Sequence, residues 1–437
     1  MEKAFKNHIK SDFPYLATGK LLVAVSGGVD SVVLAHLCKS ARLDFSIAHC
    51  NFNLRDEESD GDESFLLDLA DALDVEIFTE SFDTKTYAKD AGISIQMAAR
   101  DLRYNWFNEL SASLGFDYIL TAHHINDDLE TFLINFIRGT GLEGLTGIKT
   151  ENEKIIRPIL KYSRKQIESF AREKKIHWRE DSSNQDSKYL RNQIRNEIVP
   201  VMESINPQLL ESFAKTQAHL MESYLLVEDY IGLLYSQIVS KDVYGYRLNI
   251  AALEKIPNTR AVLYQLLKTF GFSEWNDVED LLTAQPGKMV FSSTHRLIRD
   301  REFLILTEIA SEKTTRGFTI NEGEEIVMLP LGKLTFHEVD EIGETPPNCI
   351  YVAGEKLKYP LLLRKWEKGD LFYPFGMKGK KKISDFFKDK KLSLPEKEEA
   401  WLLCSGDQIV WVVNHRADRR FAITDASEKI LKITYSL

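Results

Sequence analysis

Ser26-Gly-Gly-Val-Asp-Ser31 follows directly on the apolar run Leu21–Val25. A Gly pair at such a junction lets backbone N–H groups close on an anion, and the N-terminus of a following helix adds partial positive charge. Ser26 and Ser31 supply hydroxyls, and Ser31 can also cap the helix. The six residues Ser26, Gly27, Gly28, Val29, Asp30 and Ser31 are therefore a candidate phosphate cradle. No Gly-Lys-Ser/Thr follows, so the Lys and metal-binding hydroxyl of a Walker loop are missing. The third Gly of a dinucleotide fingerprint is missing too. Asp30 is out of place beside a phosphate unless a cation bridges the two.

A second constellation is Thr121-Ala-His-His-Ile-Asn-Asp-Asp-Leu-Glu-Thr131. A helix starting near His124 puts His123, Asp127 and Glu130 on one face. Two carboxylates and an imidazole there can bind Mg²⁺, act as a base or hold an ammonium. Arg100 and Arg103, in Ala99–Tyr104, are i, i+3 neighbours that can reach one anion together. Arg191 and Arg195 stand i, i+4 on a predicted helix and can clamp a phosphate. Arg138–Gly147 holds four glycines in ten residues, a loop suited to close backbone approach to a ligand. Far along the chain come Leu363–Asp370 and Pro374–Phe387, and Lys378–Lys391 carries seven Lys against two Asp. Lysines on Gly-containing turns beside Trp366, Phe386 and Phe387 suit an RNA backbone. Arg364, Lys378, Lys380, Lys381 and Lys382 are the candidates there. Each feature also has a plain structural reading: a polar helix start, exposed helix arginines, a solvated basic turn over core aromatics.

The elements that must position these residues follow from periodicity. Leu21–Val25, Phe45–His49, Val75–Phe78 and Tyr118–Ala122 read as strands, with helical spacing between them. Strands alternating with helices predict a doubly wound parallel α/β sheet, and ligands on such sheets sit beyond the C-terminal strand ends. Both constellations lie at such ends. After Asn206-Pro207 the texture turns helical, and after Lys313 it becomes short strands with Gly and Pro punctuation. The expectation is an α/β domain holding these candidate sites over 1–206, a helical middle domain over 207–313 and a small β-rich domain over 314–437.

With 437 residues, 43% apolar and 28% charged, the composition is that of an ordinary globular chain of about three domains. The net charge of −10 taken alone argues against a nucleic-acid partner. Its distribution matters more, because the acidic run Arg55–Glu63, read as a solvated loop and helix start, hides the basic segment in the sum. Cys38, Cys50, Cys349 and Cys404 form no Cys-x-x-Cys pair, which argues against a zinc knuckle, an iron–sulfur site or a redox dithiol. No apolar signal region opens the chain and no stretch approaches the ~20 apolar residues of a membrane span, so a cytoplasmic location is expected.

Together these segments resemble the tRNA(Ile)-lysidine synthases of the N-type ATP-pyrophosphatase (PP-loop) superfamily. Ser26–Ser31 is similar to the superfamily's SGGxDS loop. More specific are Ala99–Tyr104, Arg138–Gly147, Arg157-Pro-Ile-Leu160, the pairing of Asp181–Asn184 with Arg191–Arg195, and Leu363–Phe387. Where the family has His-His-x-Asp-Asp-Gln, this chain has His123-His124-Ile125-Asn126-Asp127-Asp128. No role is carried over to Asn126 or Asp128, nor to Phe52 or Asn53, which stand in a segment that also departs from the family. The resemblance implies ATP-dependent attachment of L-lysine to C2 of the wobble cytidine of a CAU-anticodon tRNA(Ile). The base is adenylated first, and AMP and pyrophosphate leave. On that reading Ser26–Ser31 holds pyrophosphate, and Arg100, Arg103, Arg191 and Arg195 neutralise phosphate charge. Asp30 and Asp127 hold Mg²⁺, and Asp127, Glu130 or His123 meets the lysine. A second copy of the chain is carried as a candidate partner. The rivals are a tRNA thiolase using the same loop, which the missing Cys-x-x-Cys disfavours, and a non-catalytic RNA-binding protein with a retained nucleotide site.

Overall fold

The computed structural model describes residues 1–54, 57–179, 190–309 and 317–436. Asp181–Asn184, Arg55 and Asp56 of the acidic run, and the boundary at 313/314 lie outside the described residues. By internal contacts the chain divides into Met1–Glu228 and Asp229–Leu437.

In the first unit, β1 (Leu21–Ala24), β2 (Phe45–Asn51), β3 (Ile77–Ser81), β4 (Tyr118–Leu120), β5 (Glu151–Asn152) and β6 (Ile155–Ile156) form one sheet in the order β3-β2-β1-β4-β6-β5. All neighbours are parallel except β5 against β6. The register sets Val23 beside Ile47 and Leu120. Side chains alternate faces along a strand. Leu21 and Val23 accordingly join the core with Phe5, Val33 and Ile167, while Leu22 joins Phe107, Leu110 and Ile119. Burial on both faces is why β1 reads as a continuous apolar run.

The helices are α1 (Glu2–Asp12), α2 (Val29–Ser40), α3 (Glu57–Leu73), α4 (Thr84–Ala91), α5 (Ile95–Leu114), α6 (Ile125–Arg138), α7 (Leu142–Leu145) and α8 (Arg164–Glu173). Their starts follow from caps. Ser94 accepts from the Met97 N–H at 3.3 Å. Ser163 and Gln166 form a capping box, with bonds of 2.8 and 3.2 Å. The chain builds from β1 outward to β3, then returns to place β4 on the other side of β1. That reversal is a topological switch point, and it opens a crevice at the C-terminal ends of β1 and β4.

A helix over Leu209–Ile238 runs through the division at Glu228. The middle segment is helical as expected at Thr259–Leu267 and Trp275–Asp280. It also carries a five-stranded antiparallel sheet that the periodicity did not suggest, built from Val239–Asp242, Gly245–Asn249, Met289–Phe291, His295–Arg299 and Phe303–Glu308. Its strands are short, and each sends only one or two side chains into the core around Leu253, Val262, Leu263, Leu297 and Leu304. The C-terminal region is β-rich as expected. Two sheets, one holding Leu361–Lys365 and Trp401–Ser405, the other Lys333–Val339 and Ile430–Ser436, share a core around Leu363, Trp411 and Ile433. No helix among the described residues is long and apolar enough to cross a membrane.

Candidate active site

The turn after β1 is tied into a ring by one hydroxyl. Ser31 Oγ donates to the Gly28 carbonyl at 2.9 Å and accepts from the Ser26 N–H at 3.1 Å, with Ser26 Oγ 3.3 Å away. Gly28, not Ser31, caps α2. Gly27 has φ +91, with open space where a Cβ would stand. Val29 contributes only backbone, since its side chain is 1% exposed in the core. What remains free for an anion is the backbone edge and the exposed Ser26 hydroxyl.

Asp30 opens α2 and faces the second constellation. Its Oδ2 is paired with Arg164 Nη1, and its Oδ1 is buried without a hydrogen bond. Burial raises its pKa, opposed by His124 and Arg164 beside it. Helix α6 begins one residue later than the spacing predicts, at Ile125, with His124 as its N-cap. His124 Nδ1 accepts from the Asp127 N–H at 3.4 Å, and Asp127 Oδ2 accepts from the His124 N–H at 3.1 Å. The ring's Nε2 then carries the proton and lies 3.6 Å from Asp30 Oδ1. His124 thus stands between the two carboxylates. It was missed as a site residue, although His-x-x-Asp is capping-box spacing. Arg164 was missed for another reason: it lies 134 residues from Asp30.

His123 lies before the helix, off the face predicted for it, with Nδ1 3.0 Å from Thr121 Oγ1. Burial lowers its pKa to about 4, so the ring is neutral at pH 7. Asp127 and Glu130 do share a face, and Arg195 joins them. Arg195 donates to Glu130 Oε1 at 2.6 Å, to Glu130 Oε2 at 2.9 Å and to Asp127 Oδ1 at 3.2 Å. Glu130 is 2% exposed, and burial raises its pKa against the pull of Arg195. Asp127 goes the other way. Burial would raise its pKa, but His124, its backbone N–H included, and Arg195 hold it below the usual carboxylate value. The expected phosphate clamp of Arg191 with Arg195 is therefore not free. A π-helical turn over Ile194–Ile198 follows Leu190–Gln193, and Arg195 is spent on two carboxylates. Arg191 donates to Thr131 Oγ1 at 2.8 Å and keeps an exposed edge in the cleft.

Arg100 and Arg103 do not converge as predicted. Arg103 sits 5.2 Å above the Phe52 ring, while Arg100 sits 5.0 Å above Tyr104. Arg103, Phe52 and Tyr104 line the cleft, a cavity of about 240 Å³ walled also by Ser26, Asp30, His49, His123, Asp127 and Arg191. The two departures from the family pattern have structural work. Asn126 Oδ1 accepts from the Arg164 N–H at 3.0 Å, satisfying a free donor at the start of α8. Asp128 Oδ1 accepts from the Ile148 N–H at 2.6 Å, and burial pushes its pKa up to about 6. The glycine-rich loop closes on that carboxylate. Gly147 has φ +71, and a Cβ there would stand 2.1 Å from Asp128 Oδ1.

Among the described residues no group of three or more His, Cys, Asp and Glu could by itself hold a metal ion. Mg²⁺ asks for less, commonly one or two carboxylates with substrate phosphates. The unpartnered Asp30 Oδ1 beside Asp127 fits that manner of binding.

In the C-terminal region Arg364 is not available to RNA. It holds Asp370 bidentately at 2.8 and 2.7 Å, locking the turn before Leu371. Lys381 pairs with Asp389. Lys378, Lys380 and Lys382 are exposed and form no ion pair among the described residues. Phe386 and Phe387 are buried, at 3% and 0% exposure, and Trp366 Nε1 donates to the Lys397 carbonyl at 2.7 Å. These aromatics are core, not a stacking platform.

Three family models match the chain in order: the PP-loop domain over residues 1–202, the TilS substrate binding domain over 241–309 and the TilS substrate C-terminal domain over 361–433. A tRNA(Ile)-lysidine synthase of Parabacteroides distasonis is 41% identical over 95% of this chain and 95% of its own. One of Bacteroides thetaiotaomicron is 37% identical over 97% of each. A solved U34-tRNA thiolase of Methanococcus maripaludis is a looser likeness, 18% identical, covering 50% of this chain and 78% of its own at a TM-score of 0.43. Identity at this level along nearly the whole of both chains, with the three models in register, means that the chain belongs to the tRNA(Ile)-lysidine synthase family.

Proposed function

We propose that this chain uses ATP to join L-lysine to C2 of the wobble cytidine of a CAU-anticodon tRNA(Ile). The observation that carries the reading is the cleft at the β1/β4 switch point, where a lysine-free glycine loop meets two carboxylates. The cytosine carbonyl is a poor electrophile. Its O2 attacks the α-phosphorus of ATP, and pyrophosphate leaves. The lysine ε-nitrogen then attacks C2, the C2–O bond breaks, and AMP departs with that oxygen. The amine loses protons, first from the ammonium and then from the adduct.

The residues divide these tasks. The Ser26–Asp30 backbone and the Ser26 hydroxyl hold pyrophosphate at the start of α2. Arg103 and Arg191 remain open to phosphate charge as it moves. Asp127, held anionic, pairs with the lysine ammonium and orients it, and the protons the amine gives up pass to solvent. Glu130 is less suited to that part, because Arg195 occupies both of its oxygens. His123 is neutral at working pH and adds no charge that would repel an ammonium. Mg²⁺, held by Asp30 and Asp127 with the nucleotide, would neutralise phosphate charge. The exposed Lys378, Lys380 and Lys382 meet the tRNA backbone. Three working modules divide near 206 and 313.

The test is direct. The protein is incubated with ATP, lysine and the tRNA, and AMP is measured with the mass of the modified nucleoside. AMP that requires both lysine and this tRNA, with lysidine in the digest, is the expected result. Thionucleoside, or no AMP at all, overturns the reading. Asp127→Asn should abolish AMP release, and a wild-type rate from it would remove Asp127 from the chemistry.

A further inference from the structure

A second cavity lies in the C-terminal region, about 660 Å³ in volume. Its lining includes the apolar Ile350, Tyr351 and Phe375, with Lys390, His415 and Arg416 as polar groups. Phe375 is 53% exposed, although its backbone is fixed. Its N–H donates to the Ala417 carbonyl at 2.9 Å, and its carbonyl accepts from Arg416 Nη1 at 3.4 Å. A large aromatic ring held by its backbone yet left open is a surface prepared for a flat partner.

The charge around the cavity has one sign. Lys390 is exposed and forms no ion pair among the described residues. The lining acid, Asp418, is spent: it accepts from the Tyr373 N–H at 2.8 Å and from Arg420 Nε and Nη2 at 3.0 and 2.7 Å. His415 packs edgewise on Phe386, and burial and the Lys390 charge lower its pKa. It offers a neutral imidazole at pH 7, fit for a hydrogen bond to a base edge. Phe375 also stands on the turn that carries Lys378 and Lys380, so a phosphate chain bound to those lysines passes the mouth.

We propose that this cavity receives one unpaired nucleotide of the bound RNA, its base against Phe375 and its phosphate between Lys390 and Arg416. The inference rests on the tRNA reading above and names a subsite within it. A flat apolar body joined to an anion is what the apolar walls and cationic rim complement. An acidic peptide would meet the same cations but leave the aromatic wall without a stacking partner.

The experiment uses the full-length protein, a CAU-anticodon tRNA(Ile) transcript, and a blunt RNA duplex that lacks unpaired nucleotides. Phe375→Ala should weaken transcript binding about tenfold, within the range of one lost base–aromatic stack, and leave duplex binding unchanged. Phe375→Tyr should restore it, which separates stacking from a folding defect. Arg416→Ala should weaken binding and lower the slope of log affinity against log salt by about one. Wild-type affinity in Phe375→Ala, or an equal loss on the duplex, overturns the subsite. If the tRNA reading itself is wrong, the unaltered protein releases no AMP with the transcript, and that appears before any variant is made.

Discussion

Asp128 gives the sharpest quantitative test of the fold around the cleft. Its carboxyl is 8% exposed and accepts the Ile148 N–H at 2.6 Å. Burial moves its pKa from an ordinary 3.8 up to about 6. At about 1.4 kcal/mol per pH unit, that displacement is worth about 3 kcal/mol. The sign follows from linkage. A carboxyl with a raised folded-state pKa contributes stability that is fully present below its unfolded value and lost as pH rises through about 6. Asn at this position keeps an oxygen for the Ile148 N–H and does not titrate. The stability of Asp128→Asn relative to the natural protein should therefore climb between about pH 4 and pH 7, by up to about 3 kcal/mol. Urea unfolding of both full-length proteins across that range measures the difference. Hydrogen exchange at the Ile148 amide reports the same bond locally. A stability difference that stays flat from pH 4 to pH 8 would refute the burial argument.

Other outcomes follow from the same geometry. Gly147→Ala should lower the melting temperature far more than Gly139→Ala. Both have positive φ, at +71 and +74, but only the first would drive a Cβ to 2.1 Å from Asp128 Oδ1. The left-handed backbone alone costs about 1–2 kcal/mol, and equal losses would deny the close approach. Replacing Lys378, Lys380 and Lys382 together by Ala should reduce the salt slope of tRNA binding by about two to three. Lys381→Ala should change it less, since that amine is already paired with Asp389, and the reverse order would show the lysines misassigned.

How much of this was legible in the sequence depended on the range of the interaction. β1 and its loop could be read because a strand buried on both faces is a short apolar run, and the Gly pair ends it. The acids of α6 could be read because helical spacing is local. What reached across the chain could not. Arg164 meets Asp30 from 134 residues away, and nothing in either neighbourhood announces it. The partners of Arg195 were hidden for a related reason: spacing says that two guanidiniums share a side of a helix, not that carboxylates already wait for one of them. Arg364 shows the same limit within six residues, since a basic residue in a basic region proved to be the partner of Asp370. The middle sheet stayed hidden because strands of three to six residues leave little alternation to detect.

The three acids of α6 show how one helix turn can serve chemistry and architecture together. Successive helical residues are turned by about 100°, so Asp127 and Asp128 must face different surroundings. Asp127 turns to the cleft, where His124 and Arg195 hold it anionic. Asp128 turns away and folds the glycine loop onto the helix through Ile148. Glu130, one turn on from Asp127, returns to its side but lies deeper, where it anchors Arg195. Arg195 is then a fixed positive charge beside Asp127 rather than a mobile one. Arg195 already donates to Asp127 Oδ1 at 3.2 Å, and removing Glu130 would let that contact tighten and compete with the incoming ammonium. On this arrangement Glu130 serves lysine use without touching lysine, and its loss should raise the KM for lysine while leaving the KM for ATP near its original value.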